Sequence, residues 1–307
     1  MANRPKKYYY EHMKLTVLVD NNTLIDRYYL GEPGVSFFIE TGASRVLFDV
    51  GYSDAFLRNA RTAGLDLLST DYVVLSHGHI DHTGGLDALL KAYMEARFER
   101  GRTSMPQLVA HPDALMPKFM TMDGADAGAI SIGSPISAAV LGLSFDLRPS
   151  DRPLWLDDRL VFLGEIERRT DFEQPDPIGR RGGAASGSTA DHAAPAPNEP
   201  DQLLDDTAMA YLADDGLVII TGCSHAGICN IVETARRVTG VDKVIDIIGG
   251  FHLLDPPQTQ LEGTVEYLRT LNLPQLHACH CTDLDSKIAL STAAPLKEVG
   301  SGLVIEY

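Results

Sequence analysis

Residues 76–86 read Ser-His-Gly-His-Ile-Asp-His-Thr-Gly-Gly-Leu, which places three histidines and an aspartate within six positions. The four residues just upstream, 72–75, are Tyr-Val-Val-Leu, a run suited to a strand buried on both faces. Downstream, residues 84–100 carry Leu86, Leu89, Leu90 and Tyr93 at helical spacing. A loop leaving a strand end and entering a helix turns closely spaced side chains toward one point. Imidazole and carboxylate together are ligands for Zn²⁺, Mn²⁺ or Fe. His77, His79, Asp81 and His82 are therefore candidate metal ligands. The competing account is an accidental histidine-rich surface loop, and the strand–loop–helix context argues against it.

The rest of the chain reads as two β-then-α halves. Residues 14–20, 34–40 and 44–49 are short runs rich in Val, Phe and Ile, and residues 41–43 (Thr-Gly-Ala) suit a tight hairpin. Residues 53–63 read as a helix. In the second half, 209–212 and 217–221 read as strands around a turn at 214–216, 227–238 as a helix, 244–248 as a strand and 259–271 as a helix. Residues 275–278 and 303–307 close the chain as strands. Strands followed by helices in each half predict two sheets with helices on their outer faces. Residues 180–200 contain almost no large apolar side chain. They belong to an insertion at about 174–204, read as flexible, within a single domain spanning 1–307. His192, inside it, reads as a solvated surface histidine.

Composition enters as a set of exclusions. A formal net charge of −16 repels a phosphate backbone, so nucleic acid is an unfavourable partner. No stretch approaches the roughly 20 apolar residues of a membrane-spanning helix, and the basic residues 1–8 lead into no apolar run, so neither a membrane nor a secretory signal is expected. Four cysteines in 307 residues are too few for a disulfide scaffold and point to a reducing, cytoplasmic compartment. Gly-x-Gly-x-x-Gly after a strand, a phosphate-binding Gly-Lys-Ser/Thr and a serine elbow are all absent, which disfavours nucleotide-dependent phosphotransfer and serine hydrolysis.

The stretch His77-x-His79-x-Asp81-His82 resembles the signature of the metallo-β-lactamase superfamily, and residues 47–51 (Leu-Phe-Asp-Val-Gly) resemble its strand-end Asp-x-Gly. The resemblance implies an α/β fold, a four-layer αββα sandwich around one or two divalent metal ions. It implies zinc first, with manganese or iron as alternatives. It also implies His77 and His79 on one ion and Asp81 and His82 on the other. Residues 221–228, 249–253, 280–282, 164–167 and 171–173 resemble a subgroup typified by dihydropterin synthase-like proteins. That likeness implies a small-molecule substrate, phosphorylated or a pterin.

Further candidates follow with their alternatives. His225 lies after an apolar strand, where the superfamily presents a Gly-Asp whose carboxylate bridges two metals; here Cys223 takes the Asp-like place. His225 is read as a ligand, whereas Cys223 is either a thiolate ligand or a buried neutral thiol. The resemblance favours His280 as a ligand. If its strand persists, alternation puts Cys279 and Cys281 on the opposite face from His280. A separate zinc site built from the four cysteines is disfavoured by their spacing. His252, after Gly249-Gly250, is read as substrate-contacting or proton-donating, with a satisfied core histidine as the rival reading. Asp81 is also a candidate to orient the nucleophile. Asp49 is expected to hold the outer N–H of a ligand histidine, and Asp20, Asn21 and Asn22 are candidates for a similar job. His111 is expected to cap a helix, and His12 and His277 default to structural or surface roles.

The expected activity is hydrolysis of a phosphoryl or carbonyl substrate by metal-activated hydroxide. One alternative is a synthase-like transfer that displaces pyrophosphate from a pterin. A second is a non-hydrolytic metal-binding or redox protein. Against a di-iron redox centre, His79 stands where a glutamate is usual; against loss of metal, all four motif residues are intact. Oligomeric state is not readable from the sequence.

Overall fold

In the computed structural model, residues 12–101, 104–121, 128–174, 176–182 and 199–307 are described. Residues 1–8, His192 and most of the low-complexity stretch lie outside them.

Two large sheets carry the fold. The first has seven strands in the order Val304–Glu306, Lys14–Val19, Ser36–Glu40, Arg45–Phe48, Tyr72–Val74, Gln107–Ala110 and Asp146–Pro149. Its first four strands are antiparallel, and Arg45–Phe48 onward the neighbours run parallel. The second has six strands in the order His277–Cys279, Val244–Gly250, Gly216–Thr221, Ala208–Ala213, Leu160–Phe162 and Leu154–Trp155.

The sheets pack face to face because successive side chains on a strand point to opposite sides. Phe37, Ile39, Val46 and Phe48 point inward to meet Met209, Tyr211, Val218 and Ile220 of the second sheet. The alternate residues Phe38 and Leu47 point outward, under helices Ala55–Thr62 and Leu86–Arg100, where Phe56, Leu86, Leu89 and Tyr93 cover them. On the far side, Ala210, Leu217 and Ile219 meet helices Ile228–Thr239, Gln258–Leu271 and Leu284–Leu290 through Ile231, Val232, Leu268 and Leu290. Three hydrophobic layers separate four structural ones, the expected αββα sandwich. Burial on both faces explains why these strands read as continuous apolar runs rather than alternating ones.

Three features depart from the sequence reading. The C-terminal strand Val304–Glu306 belongs to the first sheet, where it pairs antiparallel with Lys14–Val19. The loop read between the strand and the helix is not all irregular: a short helical turn, Ile80–Thr83, precedes the helix Leu86–Arg100. A third, four-stranded sheet joins Glu199–Pro200, Arg180–Arg181, Lys118–Thr121 and Ala129–Ser131. Both ends of the 174–204 segment thus lie in paired structure, and Asp201 and Leu203 are buried.

Candidate metal centre

The candidate side chains sit where strands of both sheets end along one edge of the sandwich. From the first sheet come Asp49, one residue past Arg45–Phe48, and residues 76–82, just past Tyr72–Val74. From the second come Cys223 and His225 after Gly216–Thr221, His252 after Val244–Gly250, and His280 after His277–Cys279. The chain turns sharply at each exit. Asp49, Ser224, His252 and His280 all adopt left-handed backbone with φ between 48° and 63°, an uncommon conformation for residues other than glycine that concentrates at functional sites.

The strand ends bring together the candidate metal ligands named from the sequence. The donor atoms of His77, His79 and His225 lie within 4.8 Å of one another, and so do those of Asp81, His82, Cys223 and His280. His77 Nε2 is 3.1 Å from His79 Nδ1 and 3.3 Å from His225 Nε2. Ligands about 2.0–2.1 Å from a tetrahedral ion stand roughly 3.3 Å apart, so this spacing fits a shared ion. In the second set, His82 Nε2 is 3.2 Å from Cys223 Sγ and 3.5 Å from Asp81 Oδ2, which is itself 3.4 Å from His280 Nε2.

Outer hydrogen bonds aim the rings. Asp49 accepts from the Ser76 amide (2.7 Å), the Ser76 hydroxyl (2.6 Å) and His82 Nδ1 (2.7 Å). Having donated its proton to Asp49, the Ser76 hydroxyl accepts from His77 Nδ1 at 3.0 Å. Asn21 Oδ1 accepts from His280 Nδ1 at 2.9 Å, and Asp20 accepts from the His280 amide. His77, His82 and His280 therefore each spend the outer N–H on a protein oxygen and turn Nε2 into the site, as metal-bound histidines do. Buried nitrogens left without a hydrogen-bond partner include His79 Nε2, His225 Nδ1, His252 Nδ1 and His280 Nε2. Buried polar atoms rarely stay unpaired, and a divalent ion is the kind of group that satisfies several at once. The residues fit such an ion.

Electrostatics divide the two sets. Burial drives His77 and His225 well below the ordinary imidazole value, and His79 down to about 4. Burial presses on His82 as well, but the carboxylates of Asp81 and Asp49 outweigh it and raise His82 well above the ordinary value. Asp81 moves the opposite way: burial works against its charge, yet His82 and His280 hold it far down.

His252 lies beside these sets, its ring centroid 4.1 Å from that of His225, and forms a third donor group with Cys223 and His225. Burial lowers its basicity, but contact with Cys281 outweighs burial and raises it. The alternation argument at 279–281 fails because the strand stops at Cys279 and His280 turns left-handed. His280 and Cys281 both face the site, Cys281 Sγ accepting from the His252 amide at 3.2 Å, whereas Cys279 packs between the sheets. Cys229 packs under the outer helices. His111 caps its short helix by accepting from the Asp113 amide, and His277 is buried against Asp246, while His12 is exposed.

Two clusters escaped the sequence reading. Lys118, fully buried, pairs with Asp201 at 2.5 Å and Asp205 at 2.9 Å, and Asp205 accepts from the Gly78 amide between the two histidines. A Cβ on Gly78 would lie 2.1 Å from the Ala114 carbonyl oxygen, so only glycine lets the loop approach this closely. Asp206 accepts from the Ala226 amide, and burial raises its carboxyl to about 7. Asp205-Asp206-Thr207 ahead of an apolar strand was the available signal; Lys118 gave none.

With this geometry in view, the relatives can be read. A profile of the metallo-beta-lactamase superfamily matches residues 30–103, the segment that carries Asp49 and the histidine loop. Over that segment the chain is similar to the metallo-β-lactamase superfamily. It is 29% identical over 279 residues to the Methanocaldococcus jannaschii protein named 7,8-dihydropterin-6-methyl-4-(beta-D-ribofuranosyl)-aminobenzene-5'-phosphate synthase, covering 89% of this chain and 88% of that one. An uncharacterized protein of the same organism is 28% identical, with 90% and 93% covered. Among solved structures, a metal-dependent hydrolase of the beta-lactamase superfamily superposes with a TM-score of 0.74 at 24% identity, covering 96% of this chain and 99% of that one. A diphosphatase of the PhnP family gives 0.52 at 15%, covering 96% and 98%. As a metallo-β-lactamase-fold protein it is an enzyme, its site offers donor sets for divalent metal, and among the described residues no helix is long and apolar enough to cross a membrane.

Proposed function

We propose that the protein is a metal-dependent hydrolase acting on a phosphoryl or carbonyl centre of a small molecule. The observation that carries this reading is the meeting of two adjoining donor sets, His77/His79/His225 and Asp81/His82/Cys223/His280, at the ends of strands from both sheets. Zinc suits a set of imidazoles, one carboxylate and one thiol, with manganese or iron as alternatives. Such ions, when bound, act as Lewis acids and bring the pKa of water toward neutrality.

The remaining work falls to the chain. Asp49, Ser76 and Asn21 hold the imidazole rings in one tautomer. Asp81, whose side chain keeps 31% of its exposure, is the ligand nearest solvent and, held as a carboxylate by His82 and His280, can accept a hydrogen bond from the attacking water and orient it. A cleft of about 250 Å³ opens beside His225 and His252 and is walled by Ile178, Leu254, Asp255 and Gln260. It is the natural seat for substrate. His252, raised in basicity and lining this cleft, is placed to donate a proton to a leaving group. Four free buried thiols suit the reducing cytoplasm.

A second reading is favoured by the likeness to the synthase: transfer, in which an aromatic carbon or amine displaces pyrophosphate from an activated pterin. One experiment separates the two. The zinc-loaded protein is screened against phosphomonoesters, phosphodiesters, lactones, thioesters and a pyrophosphate-activated pterin with an aromatic amine acceptor, with His82→Ala as the blank. Hydrolysis that vanishes in the blank supports the first reading, and pyrophosphate release only with acceptor present supports the second. Turnover undiminished in His82→Ala overturns both.

A further inference from the structure

We infer that the cleft beside His225 and His252 selects against anions: the end of the substrate that does not react is uncharged or cationic, and any phosphoryl group is confined to the reacting centre. This rests on the hydrolase reading above and adds to it the charge class of the substrate, with Asp176 and Asp255 as the residues that set it.

Clefts that take phosphate or carboxylate groups supply arginine, lysine or the free amides of a helix start. This one supplies none of them among the described residues. No lysine or arginine lines its volume of about 250 Å³. The arginines of the adjoining segment are spent elsewhere: Arg168 donates to the carbonyls of Gln202 and Leu203, and Arg169 pairs with Glu167. A helix does start in the wall, at Gly227 and Ile228, where backbone amides ordinarily attract an anion. The protein fills that position itself. The buried Glu173 carboxyl accepts from the amides of Cys229 at 2.9 Å and Asn230 at 3.1 Å, and from the Thr170 hydroxyl at 3.0 Å. A Cβ on Gly227 would lie 2.3 Å from Glu173 Oε2, so the carboxyl, rather than a ligand, covers the helix start.

What remains is two carboxylates among neutral groups. Asp176 and Asp255 are exposed in the cleft, and neither carboxylate has an ion pair or hydrogen bond among the described residues. Such a pair repels an anionic group and attracts an ammonium. Ile178 and Leu254 supply apolar wall, and Gln260 a neutral amide. An independent sign that the cleft receives a ligand comes from His225, which lines it, is only 4% exposed and has no partner at Nδ1. Its Nε2 is the nitrogen that faces His77, at 3.3 Å, so a bound ion leaves Nδ1 with a proton and no acceptor. A carbonyl or amide oxygen of the ligand satisfies that proton without bringing a negative charge toward Asp176 and Asp255.

The test is calorimetric binding of non-hydrolysable alkylphosphonates to the zinc-loaded full-length protein. Three series of graded chain length share the phosphonate head and end in trimethylammonium, in its uncharged isostere tert-butyl, or in carboxylate. The ammonium series should bind about three- to tenfold more tightly than the tert-butyl series at the best chain length, and the carboxylate series most weakly. In Asp176→Asn/Asp255→Asn the ammonium and tert-butyl series should converge, with the tert-butyl affinity unchanged from wild type. That unchanged affinity also shows that the variant is folded. Zinc-dependent binding with no charge order, or an order that survives in the double variant, overturns this inference and leaves the hydrolase reading standing. Phosphonates that bind no better with zinc than without it refute the reading of the site on which the inference rests, and the inference with it.

Discussion

A histidine binds a metal through a lone pair, and which nitrogen carries that lone pair depends on what the other one touches. Asp49 makes this choice for His82 directly and for His77 through the Ser76 hydroxyl. Asp49→Asn keeps the shape but brings an amide that can donate, which favours the tautomer with a proton on the inward nitrogen. Zinc affinity of this variant should fall by about 10–100-fold, read by competition with a chromogenic chelator; unchanged affinity would remove Asp49 from the site. Acidity should separate the two donor sets. His79 titrates near 4, and His77 and His225 are also depressed, so these three are already neutral at pH 7 and protons compete little with metal there. His82 is raised and must lose a proton when metal binds, so affinity at its set falls as pH falls through the neutral range. Lowering the pH from about 7 to about 5 should therefore release one equivalent of metal well before the other. Simultaneous release of both would contradict this electrostatic division.

At the scale of elements, the site is made of exits rather than strands. Alternation along residues 275–281 would have sent His280 and Cys281 to opposite faces, yet the strand ends at Cys279 and the left-handed turn at His280 resets the pattern. The loop 77–79 is held in a comparable way by tertiary contacts. Asp205 accepts from the Gly78 amide and is itself neutralised by Lys118, which also binds Asp201. Lys118→Met removes the cation and leaves two buried carboxylates facing each other. Breaking a buried ion cluster on one side costs about 3–5 kcal/mol, and a loss of that order is expected in urea denaturation of the metal-free protein. A loss below about 1 kcal/mol would show that the cluster carries no such strain when unpaired.

At the scale of the molecule, the candidate donor sets are divided between the sheets: His77, His79, Asp81 and His82 come from the first, and Cys223, His225 and His280 from the second. Each sheet has its own outer helical layer and core, and the inter-sheet core joins them. Ions held by these sets would cross-link the halves, a link that the unfolded chain lacks. Free zinc at a hundredfold over its dissociation constant should stabilise the fold by about 2.7 kcal/mol, and a chelator should lower the thermal midpoint accordingly. An identical midpoint with and without chelator would mean that metal does not bind the folded state in preference.

The local signals in the chain were strong. Short continuous apolar runs, a buried strand feeding a histidine-rich loop, and histidines placed after later apolar runs are short-range patterns, and they pointed to the sandwich and the candidates from Asp49 to His280. Tertiary structure decided what depends on contacts between distant segments. It placed the C-terminal strand beside Lys14–Val19 and set Lys118 against Asp201 and Asp205, more than eighty residues away. It also ended the strand at Cys279, so that His280 and Cys281 share one side. Above all it brought Cys223 against His82 of the other sheet, because only the packing of one sheet on the other carries Gly222 against Ser76. Periodicity is written along the chain, whereas convergence at a point is a property of how its layers stack.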